Sequence, residues 1–328
     1  MLRGIGMLSS RLGKVFITGG AGFIGSHLTD RLCTENVDVV VFDNLSAGKL
    51  ENIEKWLNAP NFQFVLGDLL FPDKILKPLK GCETVFHFAA NPEVKISSEN
   101  PKLHYEQNVL ATFNLLEAVR KTDSVKTLIF ASTSTVYGDA QQIPTTESYA
   151  PLKPISVYGA SKLASEALIT SYAHTYGFKA VIYRLANIVG SRAQHGVICD
   201  FVKKLKENPE KLEILGDGTQ KKSYLHVDDC IDAILFGMNF TREKVEIFNV
   251  GSEDQITVKE IADIVCRKMG LKNVKYVFTG GVDGGRGWKG DVKFMLLNID
   301  KIKKLGWKPR LNSRQAVEKA VEEILKGE

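Results

Sequence analysis

Short apolar runs alternating with helix-like segments constrain this chain more than any other feature. KVFIT (14–18), VDVVVF (37–42), FQFVL (62–66), ETVFHFA (83–89), VKTLIFA (125–131) and KAVIYRL (179–185) are each strand-length and almost continuously apolar. Strands read that way when both faces are buried, as in a parallel sheet covered by helices. Helical stretches such as SHLTDRLCTEN and NVLATFNLLEAVRKT separate them. Parallel neighbours need such crossovers, so the pattern predicts a doubly wound α/β domain. EIFNV (246–250) would add a seventh strand. The expected division is 14–187 with about 244–251 for this domain, and 188–243 with 252–328 for a smaller C-terminal lobe over the strand ends.

Composition excludes more than it assigns. The chain has 328 residues, 44% apolar and 25% charged, which is ordinary for a soluble globular protein. Its net charge of +5 is scattered, without a basic patch interleaved with aromatics, so nucleic acid is not an expected partner. The positive balance either assists a diphosphate-bearing substrate or is simply a solvated surface. Apolar runs stop at strand length, so no membrane span is expected. Cys33, Cys82, Cys199, Cys230 and Cys266 are odd in number and lack a C-x-x-C spacing. They predict reduced thiols in the cytoplasm, not disulfides or a metal site. MLRGIGMLSSRLGK has no apolar signal-peptide core and reads as a loose extension, with Met1 or Met7 as the start.

The first strand runs into a glycine-rich turn and a helix, KVFITGGAGFIGSHL. Gly19, Gly22 and Gly25 fit G-x-x-G-x-x-G, while Gly20, Gly22 and Gly25 fit G-x-G-x-x-G. Glycines there allow a tight turn and let the backbone approach a pyrophosphate on the helix N-terminus. Asp43 ends the second strand, 18 residues past Gly25. A carboxylate in that place takes ribose hydroxyls and repels a 2′-phosphate. No arginine between Arg31 and Arg120 would welcome one. The expected cofactor is NAD rather than NADP, in a Rossmann-like fold.

Tyr158 and Lys162 lie about one helical turn apart and share a helix face. A fixed ammonium favours a nearby phenolate and should lower the tyrosine pKa, making Tyr158 a candidate general base. The same spacing occurs at Tyr149 and Lys153, but Pro151 between them opposes a helix.

In order along the chain come TGGAGFIG, DNLSAG (43–48), GDL (67–69), HFAA (87–90), NV (108–109), ASTSTVYG (131–138), YGASK (158–162), RLANIVG (184–190), SYLHVDD (223–229), FNVG (248–251) and RGWKGD (286–291). Over roughly residues 14–310 this series resembles the extended short-chain dehydrogenase/reductase family, and within it the nucleotide-sugar epimerases. The resemblance implies NAD-dependent epimerisation of a UDP-hexose at C4, UDP-glucose to UDP-galactose, through a 4-keto sugar. It implies a homodimer formed by helices 108–121 and 156–176, the latter offering Leu163, Ala167, Thr170 and Ala173 as a stripe.

The resemblance also assigns residues. Cofactor contacts would come from Gly19, Gly22, Phe23, Ile24, Gly25, Asp43, Asn44, Ala47 and Gly48, with Asp68 and Leu69 at the adenine. Phe88, Ala89, Ala90, Asn108, Tyr158 and Lys162 would complete that set. Thr133 would hold the reacting sugar hydroxyl. Asn187, Lys222 and Arg286 would hold phosphate, Glu213 and Leu215 the uracil, Asp291 the ribose, and Val197 would join the substrate pocket. Asn108 is also readable as a buried helix-capping or bridging amide, and Asp291 as a turn residue.

Several positions depart from the family pattern. Lys222 stands where an arginine is usual, giving a point charge without a bidentate fork. Pro92 replaces a lysine of some epimerases, and Met295 sits where an N-acetyl group is gated, so UDP-glucuronate and UDP-N-acetylhexosamines stay open as substrates. Related dehydratases carry an acidic pair, and decarboxylases a glutamate, where this chain has Ser134 and Thr135. Hydroxyls do not ionise near neutrality, which favours epimerisation. Retention of Thr133, Tyr158 and Lys162 argues against a non-catalytic NAD sensor.

Overall fold

The computed structural model describes residues 11–240 and 242–327, so most of the expected N-terminal extension lies outside the described residues. Each expected run forms one strand: β1 (Val15–Thr18), β2 (Val39–Asp43), β3 (Phe62–Leu66), β4 (Thr84–His87), β5 (Thr127–Thr133), β6 (Lys179–Leu185) and β7 (Val245–Val250). They form one parallel sheet in the order β7-β6-β5-β4-β1-β2-β3. The chain winds outward from β1 to β3, then returns to β4 on the other side of β1. Strand order therefore reverses beside the glycine turn, where ligands bind in such sheets. This is the Rossmann-like α/β fold.

Among the described residues, seven helices of ten or more residues are α1 (Phe23–Thr34), α2 (Ala111–Arg120), α3 (Val157–Tyr176), α4 (Val197–Glu207), α5 (Val227–Gly237), α6 (Val258–Lys268) and α7 (Ser313–Lys326). Side chains alternate across each strand, so the sheet feeds two cores. Ile17, Val39 and Val41 pack with Leu28 and Leu32 of α1 and with Ile231 and Ile234 of α5. On the opposite face Phe16, Val40 and Phe130 pack with Leu115 and Leu116 of α2 and Ile169 of α3. The position of α5 departs from the expected division, which gave 188–243 to the lobe. Its apolar face, Cys230, Ile231 and Ile234, joins the sheet core beside α1 instead.

A third core, with Phe201, Leu212, Ile214, Ile261, Val265, Val317 and Val321, joins α4, α6 and α7. Short strands stitch this lobe to the sheet. Asn187–Val189, just past β6, pairs with Tyr224–His226, and Lys211–Ile214 pairs with Lys275–Phe278. Lys221–Lys222 runs between Ile256–Thr257 and Phe294–Met295. Between the strand ends and the lobe lies a cleft of about 660 Å³. No helix of the described residues is long and apolar enough to cross a membrane.

Candidate active site

The glycine turn forms one end of the cleft because nothing larger fits it. Gly19 has φ +72°, and a Cβ on it would lie 2.6 Å from the Ala89 nitrogen. A Cβ on Gly25 would lie 2.1 Å from the Gly19 carbonyl oxygen. Gly22 caps α1 without a side-chain hydrogen bond, and the first turn holds no acidic residue. The leading N–H groups of α1 therefore face the cleft free of a competing carboxylate, as an anion site needs. Asp43 is fixed by N–H donors from Ala21 (2.9 Å) and Leu45 (2.8 Å), and burial pushes its pKa up. Asn44 donates to Asp68 (2.9 Å), tying the ends of β2 and β3 together. With Phe23, Ile24, Ala47, Gly48, Leu69, Phe88, Ala89 and Ala90 these residues line one continuous wall. The cradle fits a dinucleotide.

Tyr158 and Lys162 lie on the first turns of α3, which Ser156 caps by accepting the Gly159 N–H at 3.0 Å. Tyr149 and Lys153 lie in irregular chain, as Pro151 requires. Thr133, at the end of β5, lines the cleft with the Tyr158 phenol and sits 3.1 Å from the Thr135 hydroxyl. The Lys162 ammonium lies 4.0 Å from the centre of the Phe130 ring. One turn further, buried Glu166 pairs with Arg184 (2.8 Å) and accepts from the Ser132 hydroxyl.

The electrostatics correct one expectation. Burial pushes the Tyr158 phenol up to about 12, and the neighbouring Thr133 hydroxyl only partly opposes this. Burial likewise brings Lys162 down to about 7, against the pull of Glu166. Desolvation disfavours both charged forms, and here it outweighs the mutual attraction expected from their spacing.

Across the cleft, Asn187, Val197, Leu215, Lys222, Asp291 and Met295 form the lobe-side wall, and Pro92, in the loop after β4, also lines the cleft. Lys222 donates to Asp291 at 2.6 Å, and Asp291 also accepts the Gly287 N–H at 3.1 Å. Three expected residues do not line the cleft. Asn108 is the buried bridge: it accepts the Asn91 N–H (2.8 Å) and donates to Ser161 (2.9 Å). Glu213 points outward, because Leu212 and Ile214 take the buried side of K-L-E-I. Arg286 is held by both Asp139 oxygens, at 3.0 and 2.9 Å.

The sequence reading missed the polar loop 191–196. His27 donates to the Ser191 carbonyl (3.1 Å), and Arg192 reaches Ser26 (3.1 Å) and Asp30 (2.7 Å). Gln194 donates to the Ala47 carbonyl at 3.2 Å, and His195 lies 2.8 Å from Glu93. Arg192, Gln194, His195 and Glu93 all line the cleft, as do Gln220 and Trp288. No periodic pattern marks them; the one available signal was a dense polar run directly after a predicted strand.

The profile of the NAD dependent epimerase/dehydratase family matches residues 15–251, from β1 through β7. The chain belongs to that family. A Methanocaldococcus jannaschii member, provisionally assigned as a UDP-glucose 4-epimerase, is 36% identical over 94% of this chain and 97% of its own length. A crystal structure of a UDP-galactose 4-epimerase superposes with TM-score 0.85 at 43% identity, covering 96% of this chain and 99% of the other. The Thermotoga maritima UDP-glucose 4-epimerase with UDP-glucose gives TM-score 0.83 at 33% identity, covering 96% and 99%. Family membership makes NAD the cofactor of the glycine cradle.

Proposed function

We propose that this epimerase interconverts UDP-glucose and UDP-galactose by oxidising and re-reducing C4. The observation that carries the reading is the trio of Thr133, Tyr158 and Lys162, brought together in a cleft whose other wall carries Asn187 and Lys222. Thr133 holds the sugar 4-hydroxyl, and Tyr158 removes its proton. NAD, held by the glycine turn and Asp43, would supply the hydride acceptor and donor for C4, so the reaction has no net redox. Lys162 balances the phenolate charge of Tyr158 before the sugar proton reaches it. Asn187 and Lys222 hold the diphosphate, so the keto sugar turns over without leaving. The neighbours of Thr133 in the cleft are Ser134 and Thr135, hydroxyls rather than the ionisable pair that water elimination requires. Five free thiols, four of them buried, support a cytoplasmic setting, and the outer face of α2 and α3 supports a homodimer.

The test follows the anomeric ¹H NMR signals of UDP-galactose without added NAD. Conversion to UDP-glucose is expected, and acid should release NAD, not NADP, from the purified protein. Unchanged UDP-galactose together with a 4-keto-6-deoxy product, or with CO₂ from UDP-glucuronate, would overturn the reading.

A further inference from the structure

The polar loop 191–196 is fixed firmly at one end and lightly at the other. The Ser191 N–H donates to Glu323 (3.0 Å), which also accepts from the buried His226 ring (3.0 Å). Arg192 stands at φ +65° while its guanidinium spans Ser26 and Asp30 of α1. A residue other than glycine persists in that left-handed region only where its surroundings hold it. The Cys199 thiol, in the first turn of α4, donates to the Ala193 carbonyl at 3.3 Å. Beyond Ala193 the grip loosens. Gln194 reaches the Ala47 carbonyl in the loop after β2, and His195 reaches Glu93 in the loop after β4. The His195 and Glu93 side chains are 47% and 41% exposed, and a contact that open to water is weak. Gly196 follows with φ +101° and open space where a Cβ would sit, so the chain can swing there without displacing a neighbour.

Helix α1, the Ala47 loop and Glu93 lie on different parts of the cleft wall, and residues 192–196 line the same cleft. A segment tied to all three bridges the cleft. Two of the three ties, α1 and Ala47, belong to the cradle of the glycine turn and Asp43, so the bridge crosses the cofactor end. In a reaction without net redox the substrate exchanges at every turnover, whereas the cofactor has no need to leave.

We propose that residues 191–196 form a strap that retains NAD, with Ser191–Ala193 as its fixed base and the Gln194–Ala47 and His195–Glu93 contacts as its latch. The inference rests on the cofactor of the family and not on which sugar the enzyme takes. The latch joins protein to protein. Breaking it raises the fraction of time the strap stands open, which quickens release and uptake of the dinucleotide alike and leaves its affinity unchanged.

The test transfers the holoprotein into excess formate dehydrogenase and formate, which turn released NAD into NADH read at 340 nm. Gln194→Ala combined with His195→Ala should release NAD about 10-fold faster, as for two lost surface contacts. The Kd from equilibrium dialysis against labelled NAD should stay within about twofold. Glu93→Gln breaks the ion pair from the other side and should quicken release about threefold, so the result does not hang on the folding of one variant. Release rates unchanged in both variants overturn the inference. A Kd that rises with the release rate while uptake stays constant also overturns it, since the two side chains would then hold the cofactor itself. A wild-type protein that loses its NAD within the mixing time has no strap. None of these outcomes touches the UDP-hexose reading, which stands or falls on the anomeric signals.

Discussion

At the residue scale, the chemistry turns on a phenol that burial holds near 12 and an ammonium that burial lowers to about 7. Tyr158→Phe keeps the ring and removes the proton acceptor. The expected loss in epimerisation rate is about 10²–10⁴-fold, measured by anomeric NMR; a loss under threefold would move the base elsewhere. Glu166 matters because its carboxylate raises the Lys162 pKa. The rate needs Lys162 charged, so it falls as pH rises through the lysine pKa. Glu166→Gln keeps an acceptor for Ser132 and Arg184 but removes the negative charge, so the lysine loses its proton at lower pH. The alkaline limb of the kcat profile should therefore move to lower pH. An unmoved limb, with unchanged thermal stability as the folding control, would show that Glu166 does not set the charge of Lys162.

Elements differ in how openly the sequence announces them. The strands were legible because a parallel strand buried on both faces must be a short apolar run. VFIT, VVVFD and TVFH are buried throughout, while edge strand FQFVL is partly exposed. The glycine turn was legible because sterics leave no substitute for Gly19 or Gly25. Glu213 was misplaced although the alternation in K-L-E-I, with two buried aliphatics, already turned it outward. Arg192, Gln194 and His195 were not assigned for a different reason: their place depends on how their loop lies against α1, Ala47 and Glu93. The glycine turn also yields a sharp prediction. Gly25→Ala puts a methyl 2.1 Å from the Gly19 carbonyl, and that neighbour is backbone that cannot rotate away. The variant should be purified without NAD and be destabilised by about 1–3 kcal/mol, the usual cost of overpacking. Absorbance at 260 nm after acid release, with a urea melt, measures both; full NAD content would show that the loop can spread.

For the whole molecule, the open question is what covers α2 and α3. Tyr105, just before α2, Phe113 of α2 and Tyr176 at the end of α3 are 57%, 40% and 49% exposed, although large aromatics usually find cover. Phe113 meets Tyr172 edge-on at 6.5 Å, and Tyr172 lies 5.0 Å from Tyr176, so Phe113, Tyr172 and Tyr176 form one cluster. The stripe read from the sequence is only partly outward: Ala173 is fully buried in the sheet core and Leu163 packs on the other core, while Ala167 is exposed. Two helices with small residues beside aromatics can meet their symmetry mates as a four-helix bundle, which is isologous and closes on itself. Light scattering at micromolar concentration should give about twice 36.3 kDa. Phe113→Glu places a carboxylate in that face, beside Glu117 and far from the glycine turn. It should shift the mass toward one chain while NAD stays bound. A wild-type monomer at this concentration sinks the homodimer, and a dimer that Phe113→Glu leaves intact moves its interface to another surface.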